Sequence, residues 1–459
     1  MKIPFIGSAY SAASTNLGSQ RCLNWFPEVA PEGKEPIALM PRPGMTSWCD
    51  TGAPGVVRGG LVIDDVSYVV VGAEFYTIDP DGTATLRGTL LTTTERVGIA
   101  ATATQVMIVD GVYGYLYTIA TAAYAQITDV DFVGADWVTA LDGLFVVNDP
   151  GTSQMRCSDT YDGSAWDALD FATAESSSDA IVRVEAFHDE LVVFGANTTE
   201  FWYNDAGSNF PFALIRGSTI QRGALAGATV AQVDNGLFWL GDDGVVYRMN
   251  GRQPQRVSTH AIEFALRGYP ILTDAYAFTY EWQGHKFYCL TFPRGEATWV
   301  FDVATQMWSE AGTFGLGYWD VSTAWRVGTD IVVGSASTGE FFTLGDVYTD
   351  DGTPIERVRV AQCVADDYRW IRHDRLRLDF ETGVGNATVT DPQVMLSWSD
   401  DGGHTFGNEI YCDMGAEGRH DKQVVFHRLG RSRQRFYKVR ITDAVKCVLI
   451  GASLDASAA

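Results

Sequence analysis

Lysine is scarce in this sequence, with six residues among 459. Glutamate and glutamine are also sparse, whereas valine, threonine, tyrosine, phenylalanine and tryptophan are common, and this bias favours strands over helices. No stretch of 18 apolar residues occurs, so no membrane-spanning helix is expected. Hydrophobic residues still make up 46% of the chain, which argues against disorder and predicts a core divided among two or more packed units.

Cysteine pairs with metal-binding or disulfide spacing are also missing. The seven cysteines are odd in number, scattered and never in C-x-x-C, so neither a disulfide framework nor a zinc site is predicted. Reduced, mostly buried thiols made in a cytoplasm are expected instead. The cysteines are Cys22, Cys49, Cys157, Cys289, Cys363, Cys412 and Cys447.

Motifs of catalysis are missing as well. The sequence contains no G-x-S-x-G elbow, no H-E-x-x-H and no Walker loop, so no catalytic residue, cofactor or metal ligand is predicted and the protein is expected not to be an enzyme. A glycosidase assembled from two of the 57 carboxylates stays open as an alternative, because that chemistry needs only a spatial pair of acids.

Negative charge is abundant and unevenly distributed. Residues 365–459 hold 13 of the 33 basic and 14 of the 57 acidic residues, which leaves a net charge of −23 on residues 1–364. An acidic surface repels phosphate, so ordinary nucleic-acid binding, including sequence-specific binding, is not expected. A wall that DNA passes without adhering is compatible with this charge.

Short strand patterns recur along residues 59–364 with polar, Gly-containing turns between them. Seven units are spaced by about 37 to 47 residues, in the range of propeller blades, and such units bury their faces only by stacking around an axis. We therefore predict a β-propeller of about seven blades. Six blades is the alternative count, because the last unit lacks a clean fourth strand, and a set of unrelated β-domains is the alternative fold. The units begin near residues 59, 96, 136, 181, 228, 275 and 319.

The two ends of the chain differ from the repeats. Residues 24–44 contain five prolines, so residues 1–58 are predicted to form an extended arm lying over the propeller. Residues 365–459 contain strand patterns that alternate polar and apolar residues, and we predict a separate C-terminal β-sandwich there. One short helix is expected at residues 259–268.

The stretch SWSDDGGHTF, residues 397–406, resembles the Asp-box of sialidases and other β proteins. An Asp side chain accepts bonds from following N–H groups, and glycine adopts positive φ without steric cost. We therefore predict a structural turn rather than a catalytic acid pair. A calcium loop is disfavoured because its terminal glutamate is missing. The turn residues are Ser399, Asp401, Gly403, Thr405 and Phe406.

Four stretches together resemble one family, the packaged-DNA stabilisation or tail hub (head-closure) proteins of short-tailed bacteriophages. The resemblance implies a virion tail protein in a cyclic, hexameric ring below the portal and its adaptor. There it would retain packaged DNA and link to the tail needle or fibres, with no catalytic residue to carry over. The stretches are RCLNWFPE (21–28), TTEFWYNDAGSNFPF (198–212), GLFWLGDDGVVYRMNG with PQRVSTHAIE (236–263) and RLGRSRQRFYKVRITD (428–443).

Four arginines lie within nine residues of the C-terminal region: Arg428, Arg431, Arg433 and Arg435. They are either solvent-facing residues on a strand edge, with stems covering apolar surface, or a docking patch for an acidic neighbour such as an adjacent subunit's propeller. Two alternatives to the structural hub remain at this stage: an Asp-box propeller that binds or hydrolyses glycan, and a cellular propeller scaffold.

Overall fold

The computed structural model describes residues 2–15, 18–174, 177, 179–207, 210–367 and 369–458, and strands dominate them. Residues 208 and 209 of the stretch at 198–212 lie outside the described residues. The predicted helix is present at His260–Arg267, where the Thr259 side chain accepts a hydrogen bond from the Ile262 N–H at the first turn and Gly268 follows the last. Within the described part of the chain, no helix combines the length and hydrophobicity needed to cross a membrane.

In the residues that the structure describes, seven four-stranded antiparallel units follow one another, so the all-β propeller prediction is confirmed and these residues form seven blades. Blade one comprises Val57–Ile63, Val66–Val71, Glu74–Ile78 and Ala84–Thr89; blade two Gly98–Ala101, Gln105–Val109, Gly114–Thr118 and Ala123–Gln126; blade three Val138–Leu141, Leu144–Asn148, Gln154–Asp159 and Asp162–Thr173; blade four Ile181–Phe187, Glu190–Gly195, Thr199–Asn204 and Phe212–Leu214. Blade five, preceded by a 3-10 turn at Gly227–Thr229, comprises Ala231–Val233, Gly236–Leu240, Val246–Asn250 and Gln253–Arg256; blade six Tyr276–Trp282, His285–Phe292, Ala297–Asp302 and Met307–Ala311; blade seven Thr323–Val327, Asp330–Gly334, Glu340–Gly345 and Gly44–Asp50.

The propeller core lies between the blades rather than at one centre. In blade one, Val69 belongs to the apolar cluster shared with blade seven, whereas Val70 belongs to the cluster shared with blade two. Successive side chains of a strand point to opposite faces, and neighbouring blades cover both faces. This is why the second strand of a blade contains a continuous apolar run such as YVVV, residues 68–71.

The last blade is completed by a strand from the N-terminal region. Gly44–Asp50, which we name the closing strand, pairs antiparallel with Glu340–Gly345. It supplies the fourth strand that the seventh repeat lacks in sequence. Gly44 is required there, because an added Cβ would lie 2.4 Å from the carbonyl oxygens of Val347 and Thr349.

The rest of the N-terminal region also enters sheets, which corrects the expectation of an arm merely lying over the domain. Ser19–Leu23, which we name the bridging strand, pairs parallel with blade six at Glu310 and antiparallel with Arg357–Val360. One sheet therefore continues from blade six into the C-terminal region. Proline is excluded only from central positions of a sheet, so the five prolines are compatible with these short strands.

The C-terminal region forms the predicted β-sandwich, but it shares its core with the propeller. One apolar cluster contains Phe238 and Trp308 from blades five and six together with Leu376 and Tyr437 from the sandwich. The first sheet consists of Arg357–Val360, Gln434–Ile441, Gln393–Ser399 and Ile410–Asp413, with Val364–Ala365 as a short flanking strand. The second consists of Trp25–Val29, Ile37–Pro41, Leu449–Ala458, Ile371–Phe380 and Val424–His427, with Arg431–Ser432 as a short flanking strand. Of the remaining short strands, Tyr10–Ser11 pairs with the bridging strand, and Thr349–Asp350 and Thr353–Pro354 extend the sheet of blade seven beyond the closing strand.

Candidate docking surface and the turns around it

The Asp-box residues form a closed hydrogen-bond network within one turn. The Ser399 hydroxyl donates to Asp401 Oδ1 at 2.5 Å, and the Gly403 N–H donates to Ser399 Oγ at 2.9 Å. The N–H groups of His404 and Thr405 donate to Asp401, as does the Thr405 hydroxyl at 2.5 Å. The Ser399 hydroxyl, followed by Thr405, holds the pKa of Asp401 well below its usual range.

The same turn is seated against the N-terminal region. Phe406 packs beside Leu23 of the bridging strand, and Lys438 lies 4.8 Å above its ring. Gly403 has a φ of +88°, and an added Cβ would lie 3.0 Å from the Ser19 side chain. The arrangement is that of a packed structural turn that also holds the bridging strand.

The second acid of the pair, Asp400, is bound to an arginine. Its two oxygens accept bonds from Arg435 at 2.6 and 2.7 Å, and the Arg435 guanidinium lies 5.0 Å over the Trp398 ring and also donates to the Leu429 carbonyl. The Arg435 side chain is 2% exposed. Because a buried side chain cannot meet a partner, the prediction that Arg435 belongs to a docking patch is corrected.

The alternation of residues along the strand Gln434–Ile441 indicates that Arg435 is buried. Arg435, Tyr437, Val439 and Ile441 are alternate residues of one strand and are all buried, so they share its core face. His373 lies in the same interior, with Nδ1 at 2.8 Å from the Tyr437 hydroxyl. Burial, together with the nearby Arg435 charge, lowers the pKa of His373 to about 4.

The other three arginines are exposed. Arg431 and Arg433 lie 5.0 and 5.1 Å over the ring of Trp370, whose side chain is 42% exposed. The two arginines and the tryptophan line a cavity of about 460 Å³. Arg428 lines an adjoining cavity of about 570 Å³ with Arg431. We name Trp370, Arg428, Arg431 and Arg433 the cationic patch.

Trp370 was missed by sequence reasoning. It precedes the strand Ile371–Phe380, and that strand pairs with Arg431–Ser432, which brings residues some 60 positions apart side by side. Nothing in the local pattern around Trp370 indicates this pairing. Cation–π contacts with the tryptophan ring stabilise the two guanidinium groups at the surface, where the ring also exposes apolar area.

An acid–histidine–acid group joins the N-terminal region to blade six. His285 Nδ1 lies 2.8 Å from Asp302 Oδ2, and its Nε2 lies 2.5 Å from Glu28 Oε2. The hydrogen bond to Asp302, reinforced by Glu28, raises the pKa of His285 to about 9. The side chains of His285 and Asp302 are 7% and 2% exposed, and the Glu28 side chain is 39% exposed. Both imidazole nitrogens are engaged by carboxylates, so the group stabilises the junction.

The potential metal ligands and the cysteine thiols are further candidates for a site. Among residues 2–458 as far as they are described, no group of three or more His, Cys, Asp or Glu side chains is placed to hold a metal ion. The seven cysteines are free thiols and five of them are buried. Burial raises the pKa of Cys22 to about 11, which keeps this thiol protonated and unreactive.

The fold defines an all-β protein in which a seven-bladed propeller and a β-sandwich share one core. The family model described as "Bacteriophage P22 Gp10, beta-propeller" matches residues 1–347, and the one described as "Bacteriophage P22 Gp10, beta-sandwich" matches residues 356–457. The chain therefore belongs to the bacteriophage P22 Gp10 family, a family of phage DNA-stabilisation and tail hub proteins. This confirms the family resemblance and both predicted folds.

Other comparisons add little. No curated protein sequence matches the chain. Among solved structures, the computationally designed Ika8 protein is 13% identical over 75% of this chain and 98% of its own, with a TM-score of 0.40. A chain of the Mitotic Checkpoint Complex is 14% identical over 70% of this chain and 97% of its own, with a TM-score of 0.45. Both scores are too low to support a conclusion.

Proposed function

We propose that this protein is a tail hub of the virion that closes the head below the portal and its adaptor. It is made in the host cytoplasm, retains the packaged DNA and links the tail to its needle or fibres. The observation that supports this most strongly is the family match, which covers both the propeller and the sandwich. A family of phage structural proteins is also consistent with a protein that is not an enzyme.

The hub works as a cyclic ring, hexameric by family resemblance. A propeller closes its own sheets radially, so loops and short outer edges remain for contacts with neighbours. A closed ring requires heterologous contacts, in which one surface meets a different surface of the next copy. The charge separation along this chain, −23 on residues 1–364 against near neutrality beyond, supplies unlike surfaces for such contacts.

DNA retention in this proposal is steric. The acidic surface gives phosphates no counter-charge, so a ring closes the exit without binding the duplex that later passes through. The cationic patch is small beside the total charge of −24 and serves contacts between proteins.

The glycan alternative receives no support from the box itself. Asp401 is engaged by the bonds of its own turn, and Asp400 is held by Arg435. A hydrolase needs two carboxyl groups free to face a sugar from both sides of the scissile bond.

Electron microscopy of tails tests the proposal directly. We expect density for this propeller and sandwich as a ring beneath the portal–adaptor assembly, and particles that lack the protein should lose their DNA. Virions that hold their genome and carry a complete tail without this chain would contradict the hub assignment. Polysaccharide hydrolysis by the purified protein would favour the glycan alternative instead.

A further inference from the structure

Basic residues are nearly missing from one part of the propeller. Residues 97–182 contain 12 acidic residues and a single basic one, Arg156. Arg156 Nε lies 3.6 Å from Asp149 Oδ2, and its side chain is 15% exposed. This span, which forms blades two and three, therefore presents carboxylates with almost no internal counter-charge.

The outer edge of blade three protrudes. Its edge strand, Asp162–Thr173, pairs with Gln154–Asp159, but the register passes from Ser158↔Trp166 to Arg156↔Phe171. Residues 167–170 are therefore left without ladder partners and bulge outward. Leu169 at this bulge is 64% exposed, and it is flanked by Asp167 and Asp170.

A neighbouring loop adds apolar side chains to the bulge. The Phe132 ring lies 5.0 Å from the Trp166 ring, and the backbone N–H of Trp166 donates to Asp129 Oδ2 at 3.2 Å. The loop thus packs on the edge strand beside the bulge. Val130 and Val133 of this loop are 90% and 48% exposed.

We name residues 129–133 and 167–170 the blade-three rim. It combines exposed aliphatic side chains with Asp131, Asp167 and Asp170. Partial burial, with repulsion from Asp167 and Asp159, raises the pKa of Asp170, as expected where like charges are crowded. Exposed apolar side chains beside charges of one sign are typical of an interaction site.

The cationic patch has the complementary composition. It offers exposed guanidinium groups beside a partly exposed tryptophan, the residue types that dominate binding at protein interfaces. In a contact between the two surfaces, apolar side chains of the rim would face the Trp370 ring, and its carboxylates would face Arg431 and Arg433. Each surface supplies what the other lacks.

The two surfaces cannot meet within one chain. The sandwich is attached at blade six through the bridging strand, and blade three is three blades away in a ring of seven, across the propeller axis. Surfaces on opposite sides of one subunit are those that a head-to-tail ring requires.

We propose that the blade-three rim of one copy docks on the cationic patch of the next copy. This inference rests on the proposed ring and identifies the two surfaces that form it. The contact is heterologous, so each copy uses its patch toward one neighbour and its rim toward the other.

A charge-reversal experiment on reconstituted tails tests the pairing. The patch variant carries Arg431→Glu and Arg433→Glu, the rim variant Asp167→Lys and Asp170→Lys, and the swap variant all four changes. Matched controls are Arg267→Glu and Asp330→Lys, which alter exposed charges elsewhere on the propeller. Thermal unfolding of every variant shows that the fold is retained.

We expect the patch and rim variants each to lower ring occupancy about tenfold or more, and the swap variant to restore most of it. The controls should assemble like the natural chain. Normal occupancy with either single-surface variant, or no recovery in the swap variant, would overturn the pairing.

The outcome separates this inference from the proposed function. If the natural chain forms no ring on the portal–adaptor assembly, the hub proposal itself is wrong. If the natural chain forms the ring and only the patch variant fails, without rescue by the swap, the patch binds the adaptor or needle and the rim contact is refuted.

Discussion

Arg42 and Asp350 form a buried ion pair, with 2.6 Å between Nη2 and Oδ2 and side chains that are 4% and 3% exposed. Arg42 also donates to Asn24 Oδ1 and to the Gly312 carbonyl. The pair thus joins the N-terminal region to the last blade and to the end of blade six.

Arg42→Met should destabilise the protein by about 3–5 kcal/mol, because it leaves the Asp350 charge buried without a partner. Chemical denaturation measures this loss. The double variant Arg42→Met with Asp350→Leu should recover part of it. Arg21→Met, which removes a pair whose arginine is 49% exposed, should cost about 1 kcal/mol or less; equal losses for the two arginines would contradict the role given to burial.

Asp401→Ala should lower the thermal midpoint, because the bonds from Ser399, His404 and Thr405 lose their acceptor. Calorimetry measures the shift, and Asp391→Ala, at an exposed loop position, is the control. A variant that kept its midpoint and lost a hydrolase activity would refute the structural role of the turn.

Arg435→Ala and Arg433→Ala should differ strongly in their effect on stability, although the two residues are only two positions apart. Loss of the charged bonds from Arg435 to Asp400 and Leu429 should cost about 2 kcal/mol or more, whereas Arg433→Ala should leave stability nearly unchanged. Urea unfolding of both variants measures the difference. If neither change altered stability, the buried position of Arg435 would be wrong.

Alkaline pH should weaken the junction at His285. The folded-state pKa is raised to about 9, whereas an unfolded histidine titrates near about 6.5. The stabilising contribution of His285 is therefore complete below pH 6.5 or so and is lost as pH rises through about 9. Unfolding free energies measured from pH 6 to 10 should show this loss, and His285→Gln should abolish it.

His260→Gln is the matched control for that profile, because its side chain is 81% exposed. An unchanged pH dependence in His285→Gln would show that other groups cause the alkaline loss.

Duplex DNA should not be retained by the protein at physiological salt. The net charge of −24 prevents the neutralisation of phosphates that drives non-specific binding. Gel-shift titration over a range of salt concentrations measures this. Salt-dependent binding with micromolar affinity or better would contradict the prediction.

Repetition made the propeller predictable from sequence, since each blade repeats the same turn and strand spacing. The turn at Asp401 was predictable for the same reason, because its bonds are local. The closing strand was not, since its partner at Glu340–Gly345 lies nearly 300 residues away and its proline-rich surroundings resemble a loop. Arg435 was predicted to belong to the docking patch because three other arginines precede it closely in sequence. Its alternation with Tyr437 along the strand places it on the core face instead.

The closing strand also has a consequence for synthesis. It leaves the ribosome well before its partner, because Glu340–Gly345 follows almost 300 residues later, which is about 15–60 s at bacterial elongation rates. During that interval the nascent propeller is an open arc with an unpaired edge at each end. We expect protease to cleave ribosome-bound chains truncated before residue 345 far faster than the released protein, so that only finished copies are competent to join a tail.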